Sequence, residues 1–258
     1  MKATSAGQRV RPRVSWHRGG AELAPFASLA AFAQAASKGA ELVEVDLRQS
    51  ADGALVCLHD SELPGLGPLE ALSWEAVGDR PAVRARAFGL ETLLDTLDRH
   101  DPERRTAVHL DLKATGYEAE AVGAILARSR TVVVTTLERA SISTVRRSFP
   151  HVEALLTLGR DGRGRPLRDR VALRRHELVP FSDLEGCGAT GVAVHYLLAT
   201  PVLRRFCTRR GLSFLVWTVD GDDALQRWLA RHDVDVVTTN RPLAALSIRQ
   251  ALEAASPG

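Results

Sequence analysis

The chain of 258 residues holds 45% hydrophobic and 25% charged residues, the proportions of a globular protein that can bury a sizeable core. Its net charge is only +3, its acidic residues are spread among the arginines, and 5% of residues are aromatic; this excludes the basic stripe with interleaved aromatics of a nucleic-acid binder. No apolar run reaches the roughly 18 residues of a membrane span, Met1 to Arg13 lacks an apolar signal core, and Cys57, Cys187 and Cys207 show no CxxC spacing, so a reduced, cytoplasmic protein with no membrane span is expected.

Arg13 to His17 predicts a short strand ending in His-Arg-Gly-Gly, and the alanine- and leucine-rich run from Leu23 to Lys38 predicts a helix stopped by Gly39. Leu42 to Leu47 predicts a second strand. Because side chains alternate along a strand, Glu44 and Asp46 share one face and Val43, Val45 and Leu47 the other. Ser50-Ala51-Asp52-Gly53 marks a turn and Ala54 to Leu58 a further strand. That connection is too short for a parallel crossover, so a hairpin arm is expected to bring His59 back to the same rim. Ser61 to Arg86, rich in Gly and Pro, predicts an irregular excursion with one helical turn near Trp74, and Leu90 to Arg99 a helix.

Strand and helix signals then alternate. Strands are expected at Thr106–Leu112, Thr131–Thr135, Glu153–Thr157, Gly191–His195, Ser213–Thr218 and Val234–Thr238. Helices are expected at Tyr117–Arg128, Ser141–Phe149, Pro201–Arg210 and Asp222–Arg231. Without the hairpin arm the strands number eight, which predicts one α/β domain over residues 1–258, a (β/α)8 TIM barrel with a hairpin and loop insertion at about 50–88. No GxGxxG follows the first strand, which argues against a Rossmann sheet. Gly159 to Arg170 predicts a rim loop, either solvated or acting as a lid or anion-steering segment.

In such a barrel, functional residues sit at the C-terminal ends of strands. His17, Glu44, Asp46 and the run His109-Leu110-Asp111-Leu112-Lys113 fall there; His109, Asp111 and Lys113 point one way, and Glu44, Asp46 and Asp111 are expected to converge. Three carboxylates together repel unless a cation or protons intervene, so one Mg2+ or Ca2+ ion is expected; a salt-bridge cluster with Lys113 and Arg18 is the alternative. His17 and His59 are the acid–base candidates, since histidine titrates near neutrality. Arg18 is a natural phosphate fork, Lys113 a point charge for the same anion, and Trp217 an apolar wall or a barrel-packing residue. Spacing alone supports metal-assisted phosphoryl or acyl chemistry.

These residues resemble the glycerophosphodiester phosphodiesterase family of the phosphatidylinositol-phospholipase-C-like barrel superfamily. His17-Arg18-Gly19, Pro25 with Leu29-Ala30-Ala31-Phe32, Gly39-Ala40, Glu44-x-Asp46, Asp52-Gly53 and His59-Asp60 look like its N-terminal signature in order and spacing. Asp111-Leu112-Lys113, His195-Tyr196, Val216-Trp217-Thr218-Val219 and Thr239-Asn240-Arg241-Pro242 resemble its later strand ends. The resemblance implies that Glu44, Asp46 and Asp111 hold the metal, that His17 and His59 are general base and acid, and that Arg18 and Lys113 bind phosphate. It implies attack by a neighbouring hydroxyl of a small-molecule or lipid-derived phosphodiester, then hydrolysis of the cyclic phosphate.

There are departures from the family pattern. Its Pro-Glu-Asn-Thr is here Pro25-Phe26-Ala27-Ser28, the Glu of its Glu-x-Lys is Asp111, and the Asn after Trp-Thr-Val is Asp220. They leave two alternatives: a phospholipase D-like enzyme that stops at the cyclic phosphate, and a phosphate-ligand-binding barrel without catalysis.

Overall fold

The alternation read in the second strand is built into a barrel wall. In the computed structural model, which describes residues 11–159 and 181–255, eight parallel strands form a closed ring. They are β1 (Arg13–Trp16), β2 (Leu42–Gln49), β7 (Ala107–Leu112), β8 (Val132–Thr136), β9 (Glu153–Leu158), β10 (Gly191–His195), β11 (Ser213–Trp217) and β12 (Val236–Thr239). Each pairs with its neighbour in chain order, and β1 closes the ring by pairing with both β2 and β12. The chain therefore folds as the (β/α)8 barrel that its alternation predicts.

Register carries the consequence for function. Leu42 aligns with Ala107, Glu44 with His109 and Asp46 with Asp111, so inward positions of β2 and β7 stand side by side. Leu42, Ala107, Val133, Leu155, Ala193, Leu215 and Val236 fill the barrel interior beneath them. Val43, Val45 and Leu47, on the opposite face of β2, join Val108, Leu110 and Leu112 of β7 in the larger core under the helices. A slip of one residue would exchange these two sets, so burial on both faces fixes the register.

Helix α1 (Leu29–Ser37) starts six residues later than the run from Leu23 suggests. Pro25 precedes it, Ala27 has a φ of 56°, and the Ser28 side chain accepts the Ala31 N–H as N-cap, so the earlier residues serve as a rim loop. The hairpin arm is present. β3 (Leu55–Cys57) runs antiparallel to β2, and β6 (Phe88–Gly89) pairs antiparallel with β3.

Between β3 and β6 lie the small β4 (Glu62–Leu63) and β5 (Gly67–Pro68) pair and two single-turn helices, α2 (Trp74–Val77) and α3 (Pro81–Arg84), where one turn was expected. This excursion has its own small core around Val56, Leu63, Leu69, Val77 and Val83. Asp52 moors it to the hairpin turn, accepting from Ser50 Oγ (2.6 Å), Ser73 Oγ (2.7 Å), Trp74 N (2.9 Å) and Glu75 N (3.1 Å).

The remaining described helices are α4 (Leu90–His100), α5 (Glu118–Ala127), α6 (Arg139–Ser148), α7 (Phe181–Cys187), α8 (Pro201–Arg210), α9 (Asp222–Leu229) and α10 (Pro242–Ala254); α7 and α10 were not read from the sequence. Among the described residues no helix is long and apolar enough to cross a membrane. The rim loop expected after Gly159, residues 160–170, lies outside the described residues.

The turn after β1 is under tight constraint. Arg18 sits in the left-handed region at φ 48°, and Gly19 follows at φ 82°. A Cβ on Gly19 would meet Ala31 Cβ at 2.8 Å and Phe32 N at 2.9 Å, both in α1. Gly19→Ala adds left-handed strain and overpacking, for a combined loss on the order of 2–4 kcal/mol. A lowered denaturant midpoint checks this; an unchanged midpoint contradicts it.

Candidate active site

The parallel register of β2 and β7 gathers three carboxylates at the open end of the barrel. Glu44, Asp46 and Asp111 each place a carboxylate oxygen within 4.8 Å of the others'. Glu44 and Asp46 are buried and Asp111 is partly so. Two cations lean on Asp46: Lys113 Nζ lies 2.6 Å from Oδ1 and also contacts Asp111, while Arg18 Nε lies 2.6 Å from Oδ2. The Arg18–Asp46 approach is an ion contact without hydrogen-bond alignment, so buried Asp46 Oδ2 has no hydrogen-bond donor. Glu44 Oε2 accepts the Arg18 backbone N–H at 3.0 Å.

Burial is the largest single cause of each shift here, but neighbouring charges decide its direction at Asp46 and Lys113. Glu44 is pushed well above the usual carboxylate range, first by desolvation and then by repulsion from Asp46 and Asp111. Burial pushes Asp46 up as well, but Lys113 and Arg18 outweigh it and its pKa falls. Burial pulls Lys113 down; Asp111 and Asp46 reverse this and hold it charged.

A hard divalent cation fits this donor set. It would add to the positive charge that Lys113 and Arg18 provide, and it would give Asp46 Oδ2 a partner. Glu44, Asp46 and Asp111 are the residues that could hold it.

The two histidines sit in different surroundings. His17 is largely buried in the turn after β1. Its Nε2 lies 3.8 Å from Glu44 Oε2 and its Nδ1 lies 2.7 Å from Asn240 Oδ1. Desolvation lowers its pKa, and the Asn240 hydrogen bond only partly opposes this. His59, at the end of the hairpin arm, is half exposed; its Nδ1 bonds Asp60 Oδ1 at 2.8 Å, and that bond holds Asp60 below its ordinary pKa.

A third histidine, His109, carries no assigned role in the sequence reading. His109 is buried under the carboxylates, between Ser15 Oγ and Thr135 Oγ1, both at 3.0 Å, and Thr135 donates onward to Asp111 Oδ1 at 2.8 Å. Burial lowers its pKa to about 3, so it is neutral and serves to orient Asp111. The alternation places His109 inward, yet sequence carries no signal for the hydroxyls that hold it.

Two cavities open beside the cluster and share Arg18, Asp46 and His59 as a common wall. One, of about 290 Å3, occupies the barrel mouth between the carboxylates, Lys113, His17 and Trp217. The other, of about 300 Å3, lies between the β1 turn and the excursion and is walled by Phe26, Phe32, Leu58, Leu63 and Phe88. Phe26 stands over the polar residues, 5.4 Å from both the His17 ring centre and the Arg18 guanidinium carbon. All eight candidate residues therefore line one bipartite site; the second compartment was not foreseen, because it depends on how the excursion packs.

A closed (β/α)8 barrel with acidic, basic and imidazole groups at its C-terminal mouth has the groups that phosphate-ester chemistry needs. The sequence model of the glycerophosphoryl diester phosphodiesterase family matches residues 17–97. The chain is 30% identical over 231 residues to a Mycobacterium tuberculosis protein named "Probable glycerophosphodiester phosphodiesterase 2", covering 84% of this chain and 82% of that protein. It is 23% identical over 242 residues to the glycerophosphodiester phosphodiesterase of Caldanaerobacter subterraneus, covering 88% and 93%. Among solved structures, the glycerophosphodiester phosphodiesterase of Parabacteroides distasonis superposes with a TM-score of 0.74 at 20% identity, over 93% of this chain and 98% of the other. The phosphodiesterase of Oleispira antarctica in complex with the product sn-glycerol-3-phosphate superposes at 0.70 with 18% identity, over 93% and 97%.

The chain belongs to the glycerophosphodiester phosphodiesterase family, and it is a phosphoric diester hydrolase.

Burial and the neighbouring carboxylates raise the Glu44 pKa, and a bound divalent ion favours the ionised carboxylate, so the ion competes with a proton there. Calorimetric titration of Mg2+ or Ca2+ at pH 7 in buffers of different ionisation enthalpy is expected to show net proton release on ion binding. Glu44→Gln is expected to abolish that release; equal heats in all buffers contradict the assignment.

Proposed function

We propose that the chain cleaves a glycerophosphodiester-like substrate with the aid of one divalent cation, His17 acting as general base and His59 as general acid. The observation that carries this is the shared wall. Both histidines border the cavity that holds the three carboxylates, and His59 also borders the second cavity.

The surroundings divide the labour. His17 is desolvated and its Nδ1 faces a neutral amide oxygen, so the uncharged imidazole is favoured and its Nε2 can accept a proton. His59 is half exposed and its Nδ1 is held by the Asp60 carboxylate, so its Nε2 is left to pass a proton to the leaving alcohol. In the proposed reaction His17 takes the proton of the hydroxyl adjacent to the phosphate. That oxygen attacks phosphorus, and the bond to the leaving alcohol breaks as His59 donates its proton to it. Water then opens the cyclic phosphate with the two roles reversed.

Arg18 and Lys113 bind the phosphoryl oxygens, and Trp217 walls the glycerol side. The ion, Mg2+ or Ca2+, would offset charge on the phosphoryl oxygens and orient the attacking hydroxyl. The leaving alcohol is assigned to the second cavity, because His59 stands between the compartments. Phe26, Phe32 and Phe88 there suit an alcohol bulkier and less polar than a bare headgroup. We read residues 1–258 as a single catalytic domain acting in the cytoplasm on a small-molecule or lipid-derived diester.

Phosphorus NMR with a panel of glycerophosphodiesters and lysophospholipids tests the reaction. A monoester peak that requires Mg2+ or Ca2+, and that disappears in His17→Ala, is expected. A persistent cyclic-phosphate peak points instead to the phospholipase D-like end product. Turnover retained in both chelator and His17→Ala contradicts the proposal.

The pH profile is a separate check. Activity needs neutral His17, and burial lowers its pKa, so the acidic limb of kcat/KM is expected to lie below the ordinary histidine value of about 6.5. A limb above that value removes His17 from the role.

A further inference from the structure

Asp220 has no role in the mechanism above, yet its carboxylate is fully engaged. It stands just beyond β11, next to the end of β12. It accepts Asn240 N at 2.9 Å, Asn240 Nδ2 at 2.7 Å and Thr239 Oγ1 at 3.1 Å. Its own carbonyl accepts Arg241 Nη1 at 2.9 Å, and Arg241 also holds Asp222 at 2.6 Å. Val219 N donates to Thr238 O at 3.0 Å, so the two strand ends are bound together on both sides of the contact.

An ionised carboxylate only accepts hydrogen bonds. Asn240 must therefore turn its NH2 group toward Asp220, and this turns Oδ1 toward His17. An amide oxygen also only accepts, so the hydrogen in the His17–Asn240 bond belongs to His17 Nδ1. Neutral imidazole carries one ring hydrogen, and Nε2 is left with a bare lone pair.

The acidic cluster by itself favours the opposite state. Glu44 Oε2, 3.8 Å from Nε2, would draw a ring hydrogen to Nε2, and a flipped Asn240 could then donate to Nδ1. The choice between a competent and an incompetent base depends on the orientation of one amide, and Asp220 sets that orientation.

We propose that Asp220 is a positioning residue for the reaction: acting through Asn240, it fixes His17 as the Nδ1–H tautomer and leaves Nε2 bare toward the substrate. The inference rests on the reading of His17 as general base. It also gives a physical meaning to the aspartate that follows Val219.

The test combines histidine side-chain 15N NMR with kinetics. The His17 signals are assigned by their loss in His17→Gln. Wild type is expected to show protonated Nδ1 and bare Nε2. Asp220→Asn is expected to shift His17 toward the Nε2–H form and to lower kcat at least about tenfold with KM little changed.

The transposed double variant, Asp220→Asn with Asn240→Asp, places a carboxylate directly on His17 and an amide behind it. It is expected to restore both the tautomer and most of kcat. An unaltered His17 tautomer in Asp220→Asn, an altered tautomer with wild-type kcat, or no rescue by transposition overturns the inference. Turnover in His17→Gln removes the base reading instead, and the spectra still report whether Asp220 sets the tautomer.

Discussion

The structure depends on a crowding of like charge. The parallel register of β2 and β7 aligns Asp46 with Asp111 and sets Glu44 one inward step below, so three carboxylate oxygens lie within 4.8 Å. Repulsion at that range in a partly desolvated barrel opposes folding unless something offsets it. Here Lys113 and Arg18 offset Asp46, Lys113 also offsets Asp111, and Glu44, left to burial and like charge, has its pKa raised. In the proposed function the contacts that relieve the crowding are also the ones that would yield, with Lys113 and Arg18 turning to a phosphate and an ion taking up the three carboxylates.

The rest of the barrel serves to hold that arrangement at low conformational cost. Tyr117 donates its hydroxyl to Leu47 O at 2.6 Å and accepts Ala114 N at 3.1 Å, tying the loop after Lys113 to β2. Ser15, His109 and Thr135 form a hydrogen-bonded floor beneath Asp111. The Arg18–Gly19 turn brings His17 and Arg18 over Glu44 and Asp46, and its left-handed backbone is sustained because α1 packs directly against it.

Much of this was legible in the sequence because it rests on short-range periodicity. The period of two in Leu42–Leu47 and Thr106–Leu112 reveals which carboxylates face inward, and the four-residue turn at Ser50–Gly53 reveals an antiparallel arm. Eight strand signals suffice for the barrel. What was not legible depends on contacts between distant segments. Leu23–Ser28 carries a helical composition, but Pro25 and the Ser28 cap postpone α1 and leave Phe26 free to stand over Arg18. The second cavity needs Leu63 and Phe88 to meet Phe26 across the excursion. Asp220 reads as an isolated substitution in the sequence; its meaning appears only where β11 and β12 end side by side.

The central claim is that Glu44, Asp46 and Asp111 form a cation site whose crowding is offset, with no ion bound, by Lys113 and Arg18. Anomalous diffraction from crystals soaked in Mn2+, an oxygen-preferring surrogate for Mg2+, tests it most directly. The account predicts one anomalous peak in contact with all three carboxylates, with Asp46 Oδ2 among its ligands and Lys113 drawn away from Asp46. A cluster that stays empty at saturating Mn2+, with Lys113 still bound to Asp46, would contradict it.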